Sequence, residues 1–295
     1  MNLIIISDIY ENLDLIDELV NEIELKKIGK DNIILIAGDL GSFSTKREQT
    51  YIENLKKFIK KLLEVSSHVL FVTGECDKKN LDLQMSSVVN LHNNYFTINT
   101  DKGKIGFLGY GGAPIHSIKQ KQRRYFSNLW DEKLVNDDIT KSLKLNYEKL
   151  RLNNPDKIIL LTHTPPYNYM DHSKEISFAE SLIDVDDTKP KSVENTNTKK
   201  AKTNTPKHLG SKSILNFIKN HKIDFVFCGH IHKEGGKIEH INNSVLFNVS
   251  HFDILPYKLT GRKYLILKDI DNLKFEFHSL TTPYINFEEY IASYL

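Results

Sequence analysis

The chain has 295 residues, of which 40% are hydrophobic and 26% are charged, and its formal net charge is +2 at pH 7. This composition is that of a globular protein able to bury a large core, and a charge so near zero gives no general electrostatic indication of nucleic-acid binding. The longest apolar runs, such as 69–72 and 158–161, are far shorter than the roughly 20 residues of a membrane-spanning helix.

Short apolar runs rich in Ile and Val alternate with longer amphipathic stretches, a pattern typical of a largely parallel α/β sheet. The predicted strands are 2–7, 33–37, 68–73, 157–162 and 223–228, and the predicted helices between them cover 12–28, 47–65, 131–152 and 211–221. Further strands are predicted near 105–109, 237–241, 244–248, 263–268 and 273–279. These additional strands indicate a second sheet.

One segment does not have the composition of a packed core. Residues 184–207 read DVDDTKPKSVENTNTKKAKTNTPK, with almost no large apolar side chain. Such a segment cannot offset the entropy lost when it is ordered, so we predict a disordered surface insertion within a single domain that spans residues 1–295. Its lysines could instead contact an anionic partner, but a solvated loop fits the composition better.

The N-terminal sequence and the cysteine content bear on the compartment. The chain begins MNLIIIS, which enters a strand-like run without a basic leader or a small-residue cleavage site, so export is not expected. Cys76 and Cys228 are the two cysteines; they provide no disulfide framework and suit a reducing compartment. These features predict a cytoplasmic protein.

Each of the five main predicted strands is followed by a carboxylate or an imidazole. The sequences at the strand ends are SDIY (7–10), AGDLG (37–41), TGECD (73–77), THTPP (162–166) and CGHIH (228–232). Because the carboxyl ends of parallel strands meet at one edge of a sheet, where the ligand sites of open α/β sheets lie, we expect these side chains to converge.

The converging side chains are mixed oxygen and nitrogen donors, which suit divalent metals. They are Asp8, Asp39, Glu75, His163, His230 and His232. Without a cation, such a cluster would suffer repulsion between like charges and unfavourable desolvation. A carboxylate such as Asp39 can bridge two ions, and two ions about 3.5 to 4 Å apart can hold a phosphoryl group in line with an activated water. The residues therefore predict a phosphoesterase site.

The order of these motifs resembles that of the calcineurin-like metallophosphoesterases. The pattern of that family is Asp-x-His, Gly-Asp, Gly-Asn-His-Asp or Glu, a lone His, and Gly-His-x-His, and the resemblance covers most of the chain. HTPPY (163–167) and GHIHKEGG (229–236) are close to the family's versions. The resemblance implies the metallo-dependent phosphatase fold, a four-layer αββα sandwich of two mixed β-sheets flanked by helices.

The resemblance also implies a cofactor and a ligand set. It implies two divalent or mixed-valence transition metal ions (Mn, Fe or Zn) above one edge of the sandwich. Asp8 and His232 are assigned to the first ion, His163 and His230 to the second, and Asp39 to the bridge between them. A phosphoester substrate, but no membrane or nucleic acid, is the expected partner.

Three positions depart from the family pattern. Tyr10 replaces the histidine of Asp-x-His, Glu75 replaces the metal-binding asparagine, and Cys76 replaces the histidine thought to protonate the leaving group. Tyr10 either binds a metal as a phenolate or packs beside the site. Glu75 retains an oxygen donor with a longer reach and an added negative charge. Cys76 is a poorer proton donor than an imidazolium because a thiol pKa is about 8.5, so low or narrow activity is expected.

Two further residues are candidates by the same resemblance. Asp77, which the family uses to orient its histidine, is here either a bystander of the metal site or a substitute acid. His208 lies where similar sequences often bring a histidine near the site, so it is either a substrate contact or simply the start of the following helix. Together with Cys76, Asp77 and His208 are the candidate catalytic residues.

Two classes of function remain open. The first is a metal-dependent hydrolase of a phosphomonoester or phosphodiester. The second is a catalytically weakened protein of the same fold that serves as a binding or scaffold module for a protein partner, and the three departures favour it. Retention of His163, His230 and His232 together with Asp39 favours the enzyme, because a scaffold has little reason to keep them all.

Overall fold

A computed structural model describes residues 1–115, 127–173, 207–250 and 262–280. Its strands in chain order are β1 (Leu3–Ile6), β2 (Ile33–Ala37), β3 (His68–Val72), β4 (Val88–Asn90), β5 (Asn94–Thr100), β6 (Gly103–Tyr110), β7 (Ala113–Pro114), β8 (Leu129–Trp130), β9 (Lys157–Thr162), β10 (His172–Ser173), β11 (Lys207–His208), β12 (Phe225–Cys228), β13 (Ile238–Ile241), β14 (Ser244–Asn248), β15 (Arg262–Asp269) and β16 (Lys274–Leu280). The helices are α1 (Leu13–Leu25), α2 (Glu48–Leu62), α3 (Glu132–Asp138), α4 (Lys144–Leu152) and α5 (Lys212–Asn220), and a π-helical turn (Ile139–Leu143) joins α3 to α4.

Two six-stranded mixed sheets form the centre of the molecule. Their strand orders are β16-β15-β1-β2-β3-β4 and β13-β14-β12-β9-β6-β5. In the first sheet β1, β2 and β3 run parallel, and in the second β9 and β12 run parallel. Short two-stranded pairs, β7 with β8 and β10 with β11, complete the described sheets.

The alternation of side chains along each strand builds three cores and therefore four layers. Along β1, Leu3 and Ile5 point into the core between the two sheets, whereas Ile4 and Ile6 point toward the core beneath α1 and α2. A third core packs the second sheet against α3, α4 and α5. The predicted αββα sandwich of two mixed sheets is confirmed.

Side-chain caps begin three of the helices that flank the sheets. Asn12 accepts a hydrogen bond from Leu15 N at the start of α1, Asp131 accepts one from Lys133 N at the start of α3, and Ser211 accepts one from Ile214 N at the start of α5. Such caps satisfy amide groups that have no partner within the helix. Asn12 follows closely on the loop after β1, so its cap also fixes where that loop ends.

The predicted strands and helices are present, with ends shifted by a few residues. Strands β4 and β5 were not predicted, because their side chains are mostly half-buried and show little hydrophobic alternation, and neither were the two-residue pairs. The predicted helix 131–152 contains the π-helical turn. The predicted insertion at 184–207 lies outside the described residues except for Lys207, so it and the single-domain assignment stay predictions. None of the helices described is both long and apolar enough to cross a bilayer.

Candidate metal centre

The carboxyl ends of β1, β2, β9 and β12 are tied together by hydrogen bonds. Asp8 N donates to Gly38 O at 3.0 Å, and Gly229 N donates to His163 O at 2.9 Å. Ser7 Oγ donates to the carbonyl of Ala37 at 2.9 Å. The expected convergence of the strand ends on one edge is therefore present, and the loops that carry the candidate ligands have little freedom to separate.

Two glycines allow these loops to approach one another. Gly38 has a φ of +90°, and a Cβ there would lie 2.3 Å from Nδ1 of His163. A Cβ on Gly74 would lie 2.0 Å from Oδ1 of Asp39. Both distances are far below van der Waals contact, so the glycines of the Gly-Asp and Thr-Gly-Glu sequences are required for the observed approach.

Three of the candidate ligands have a left-handed backbone conformation. The φ angles of Asp8, Asp39 and His230 are +56°, +48° and +68°. Residues other than glycine adopt this region at a cost of about 1 kcal/mol or more each, and such strain clusters at functional sites. The turn directs each side chain back over the sheet edge instead of along the strand.

A hydrogen bond fixes the orientation of His163, which is completely buried. Its Nδ1 lies 2.7 Å from the carbonyl oxygen of Ala37. Because a carbonyl can only accept, Nδ1 carries the proton and donates it, and Nε2 is directed toward the carboxylates of the cluster. Hydrogen bonds of this kind orient the imidazole ligands of metal sites.

Glu75 connects two of the histidines. Its Oε2 lies 2.5 Å from Nε2 of His163, and its Oε1 lies 2.9 Å from Nδ1 of His230. Burial alone would raise the pKa of Glu75, but the neighbouring His230 and His163 hold it well below its usual value. The longer glutamate side chain thus reaches the position where it faces both imidazoles.

Asp39 lies between the two groups of ligands. Its Oδ1 accepts a hydrogen bond from Cys76 N at 3.0 Å, and its Oδ2 accepts one from the phenol of Tyr10 at 2.9 Å. Oδ2 is also 3.7 Å from Nε2 of His163. Burial, with the nearby charge of Glu75, raises the pKa of Asp39 well above its usual value, which is the response of a buried carboxylate to like charge.

Asp8 and His232 form the other side of the cluster. Nε2 of His232 is 3.2 Å from Oδ1 of Asp8. Burial would raise the pKa of Asp8, but His232 outweighs it and lowers that pKa. Oδ2 of Asp8 is buried and has no hydrogen-bond partner among the described residues.

The ring of His230 is also short of hydrogen bonds. Neither of its buried nitrogens makes a hydrogen bond within the described residues, although Nδ1 lies 2.9 Å from Oε1 of Glu75. Buried polar atoms normally have partners. Buried atoms of Asp8 and His230 at the same sheet edge have no hydrogen-bond partner among the described residues. This arrangement indicates a site for a cation.

The ligand atoms of five candidate ligands lie close enough together to bind metal ions, whereas His232 belongs to none of the sets found among the described residues and contacts Asp8 alone of these ligands. Three overlapping sets each have their ligand atoms within 4.8 Å of one another: Glu75 with His163 and His230, Asp8 with Asp39 and His163, and Asp39 with Glu75 and Cys76. Asp39, Glu75 and His163 each belong to two of the three sets. The residues present therefore fit divalent cations in both donor type and spacing.

Tyr10 lies within this cluster. Its hydroxyl donates a hydrogen bond to Asp39, and the centroid of its ring lies 6.3 Å from the centroid of the His232 ring. Burial and the charge of Asp39 raise the pKa of the phenol well above 10. In the structure Tyr10 is thus a neutral hydrogen-bond donor to the carboxylate expected to bridge the ions.

Burial raises the pKa of both Cys76 and Asp77, and the Asp77 carboxylate also accepts several hydrogen bonds. Burial and the nearby Asp39 raise the pKa of the Cys76 thiol well above 9. Asp77 accepts hydrogen bonds from the amides of Leu40, Gly41 and Gly74 and from the hydroxyl of Tyr51, at 2.8 to 3.0 Å. Burial raises its pKa to about 6 despite these bonds. Asp77 therefore ties the loop after β2 to the loop after β3.

His208 belongs to a second group of side chains. Its Nδ1 is 3.0 Å from Oδ1 of Asp171, and its ring contacts those of His172 and Tyr167 at centroid distances of 4.3 and 4.8 Å. Its predicted contact with a substrate stays a prediction. The association with Asp171 and His172 was not predicted, because these residues belong to none of the strand-end motifs.

Hydrogen bonds from outside the ligand set support the loops that carry the ligands. Asn248 at the end of β14 donates to the carbonyl of Ile231 at 3.3 Å and accepts from Ser250 N at 2.9 Å, so it supports the loop between His230 and His232. The amides of residues 127 and 128 donate to the carbonyl of Glu75. Backbone contacts of this kind leave no signal in the sequence.

Comparison with known proteins finds one matching family model and structures of similar fold. The family model described as calcineurin-like phosphoesterase matches residues 1–234. No curated protein matches the chain. Among solved structures, one crystal structure superposes on this chain with a TM-score of 0.60 at 17% sequence identity. The match covers 95% of this chain and 99% of the chain in that structure. TT1561 of Thermus thermophilus superposes with a TM-score of 0.54 at 14% identity, with the same coverage. At these identities the two structures bear on the fold alone.

Proposed function

The chain belongs to the calcineurin-like phosphoesterase family, and from this premise we propose that it is a metal-dependent hydrolase of a phosphomonoester or a phosphodiester with a dinuclear site. The observation that carries the proposal is the convergence of three buried carboxylates and three imidazoles on one sheet edge. Several of their buried polar atoms have no hydrogen-bond partner among the described residues, which a bound cation would explain.

The proposed ligands divide into two groups around Asp39. Asp8 and His232 would hold one ion and His163 and His230 the other, with Asp39 between them. Two such ions, of Mn, Fe or Zn, would supply Lewis-acid stabilisation of the phosphoryl charge and would lower the pKa of the attacking water.

Glu75 has a specific effect in this proposal. It would bind the same ion as His163 and His230, whose nitrogens it faces at 2.5 and 2.9 Å. Its negative charge, absent from the asparagine of the family pattern, would reduce the attraction of the centre for an anionic phosphate. We therefore expect weak ground-state binding of substrate.

Proton transfer to the leaving group should be inefficient at the proposed site. Cys76 stands in the position of the family's proton donor, and its raised pKa keeps the proton on Sγ at neutral pH. A weak acid transfers its proton less readily in the transition state than an imidazolium does. Ester substrates with good leaving groups should therefore react best.

Asp77 is a positioning residue in this proposal and not a substitute acid. Its two oxygens are occupied by three backbone amides and the hydroxyl of Tyr51. An oxygen held by such donors is poorly placed to pass a proton to a leaving group.

The departures at Tyr10, Glu75 and Cys76 favour a second candidate function, a scaffold that binds a protein partner without catalysis. Loss of the proton donor is neutral for such a protein. The retention of His163, His230 and His232 and the left-handed turns at Asp8 and Asp39 count against it, because a scaffold gains nothing from keeping strained ligands.

Hydrolysis assays distinguish the two functions. Protein loaded with Mn²⁺ is expected to hydrolyse p-nitrophenyl phosphate or bis(p-nitrophenyl) phosphate, and His230→Asn should remove the activity. His240→Asn, at an exposed position on β13, is the matched control and should leave it unchanged. Failure of the loaded wild-type protein to exceed the rate of the His230→Asn variant on both esters would contradict the enzyme.

A further inference from the structure

A second cluster of ligand-type side chains lies where β10 pairs with β11. The antiparallel register sets His172 opposite His208, and the centroids of their rings are 4.3 Å apart. Asp171 directly precedes His172, and its carbonyl accepts a hydrogen bond from Leu209 N at 2.9 Å. The pairing thus brings together one carboxylate and two imidazoles, of which Asp171 and His208 are 37 residues apart in the chain.

The carboxylate of Asp171 is completely buried and is held by the backbone. Its Oδ2 accepts hydrogen bonds from Asn168 N at 2.9 Å and Gly210 N at 3.3 Å. Its Oδ1 lies 3.0 Å from Nδ1 of His208 and 3.4 Å from Nδ1 of His172. Oδ1 therefore faces Nδ1 of both rings, while Oδ2 is held by the two amides and also lies 3.2 Å from Nδ1 of His208.

The charges around the cluster favour a cation. Glu239 on β13 is a neighbouring carboxylate, and its pKa is raised mainly by burial, with contributions from Glu234 and Asp171. A buried carboxylate with a like charge nearby is stabilised by a positive ion. The cluster also resembles the candidate metal centre, where carboxylate oxygens lie 2.5 to 3.2 Å from imidazole nitrogens.

We propose that Asp171, His172 and His208 bind a zinc ion at a site that shares no residue with the dinuclear centre. Their ligand atoms all lie within 4.8 Å of one another. Zinc bonds of about 2.0 to 2.1 Å in a tetrahedral arrangement place neighbouring ligand atoms about 3.3 to 3.5 Å apart. The separations of Asp171 Oδ1 from the two imidazoles, 3.0 and 3.4 Å, are close to this range, and one carboxylate with two imidazoles is a donor set that suits zinc.

The position of the site indicates which parts of the chain a bound zinc ion would link. Asp171 ends the loop that begins at His163, and His208 lies just before the start of α5. Zinc would link β10, which follows that loop, to β11, which precedes α5. The side chains of His172 and His208 are 43% and 30% exposed, so the fourth coordination position faces solvent. In this proposal His208 is a metal ligand and not a substrate contact.

Zinc binding to the full chain tests the proposal independently of the dinuclear centre. In a His163→Asn/His230→Asn/His232→Asn background, which removes histidine ligands from both ions of that centre, equilibrium dialysis against ZnCl₂ and elemental analysis should find about one Zn²⁺ per chain. Adding His172→Asn and His208→Asn should reduce this by about tenfold or more. His240→Asn, a substitution of an exposed histidine on β13, should not change it.

Two readouts keep the result interpretable. Co²⁺ in place of Zn²⁺ should give the visible bands of tetrahedral coordination in the background variant, and His172→Asn should remove them. Circular dichroism checks that the variants are folded, which the exposure of His172 favours. Absence of zinc from the folded background variant, or zinc that persists after both substitutions, overturns the proposal. Neither result depends on whether the chain hydrolyses phosphoesters.

Discussion

The phenol of Tyr10 donates a hydrogen bond to Oδ2 of Asp39 at 2.9 Å, so the residue that replaces the family's histidine touches the carboxylate expected to bridge the ions. The tyrosine reaches this position because residues 8, 10 and 11 all have positive φ, which turns the loop after β1 over the sheet edge. A phenol that donates to Asp39 keeps its proton, so we expect Tyr10 to pack beside the ions and not to bind one.

Tyr10→Phe tests this assignment. Removal of one buried hydrogen bond should lower the free energy of unfolding of the metal-free protein by about 1 kcal/mol, as measured by urea denaturation. The metal content should be unchanged. Loss of an ion in Tyr10→Phe, or a visible phenolate-to-iron absorption band in Fe³⁺-loaded wild type that the variant lacks, would show that Tyr10 is a ligand.

The convergence of the ligands could be predicted because it follows from two local signals. Apolar runs identified the parallel strands, and each motif directly followed a strand, so Asp8, Asp39 and His163 could be assigned to one edge. The hydrogen bond between Tyr10 and Asp39 could not be predicted, because it depends on a left-handed turn in residues other than glycine. Sequence offers no regular signal for such a turn.

The cluster of Asp171, His172 and His208 was missed for a different reason. His172 and His208 meet through a two-residue strand pair, which is too short to show hydrophobic alternation. Strands β4 and β5 were missed because their half-buried side chains lack a clear period. Elements that are short or lie at the edge of a sheet are specified by their neighbours more than by their own residues.

Metal content should depend on the histidines of the proposed dinuclear centre. Wild-type protein purified under mild conditions should contain about one to two more transition metal ions per chain than His163→Asn/His230→Asn/His232→Asn. Elemental analysis for Mn, Fe and Zn measures the difference. An equal content in the two proteins, before and after incubation with Mn²⁺, would end the hypothesis of metal binding at this centre.

Asp77 should matter for stability, because its carboxylate accepts hydrogen bonds from the amides of Leu40, Gly41 and Gly74. Asp77→Asn places an amide group against these donors, which should lower the free energy of unfolding by about 2 to 3 kcal/mol. Tyr51→Phe, which removes one neutral donor to the same carboxylate, should cost about 1 kcal/mol. Equal effects of the two substitutions in urea denaturation would contradict the bridging role of Asp77.

The thiols should be unreactive in the folded protein. Burial raises the pKa of both Cys76 and Cys228, and only the thiolate reacts with disulfide reagents. Labelling by Ellman's reagent at pH 8 should be at least roughly 100-fold slower in the native protein than in guanidinium. Cys228→Ser leaves Cys76 as the single thiol, and rapid labelling of this variant would mean that the Cys76 thiol is ionised and exposed.

The residue at position 76 should limit the range of substrates. Cys76→His would restore an imidazole as proton donor beside the loop of Asp39, and the gain should be largest for alkyl phosphates, whose leaving groups need protonation. Nitrophenyl esters, which leave readily as anions, should gain little. A rise in rate of about one to three decades, or roughly 1.4 to 4 kcal/mol of transition-state stabilisation, is the expected scale.

Restoring the remaining family residues separates a slow enzyme from a scaffold. Glu75→Asn and Tyr10→His, combined with Cys76→His, should add to the gain, and His230→Ala in the same background should abolish it, because the proton donor acts only on a substrate held at the metal centre. The rates on alkyl and nitrophenyl esters with added Mn²⁺ give the comparison. In the contrary case, the wild type hydrolyses neither ester and the triple variant also stays at the background rate. Restoring the proton donor and the family ligands would then be insufficient for catalysis. Such a result would favour the binding or scaffold function over the enzyme.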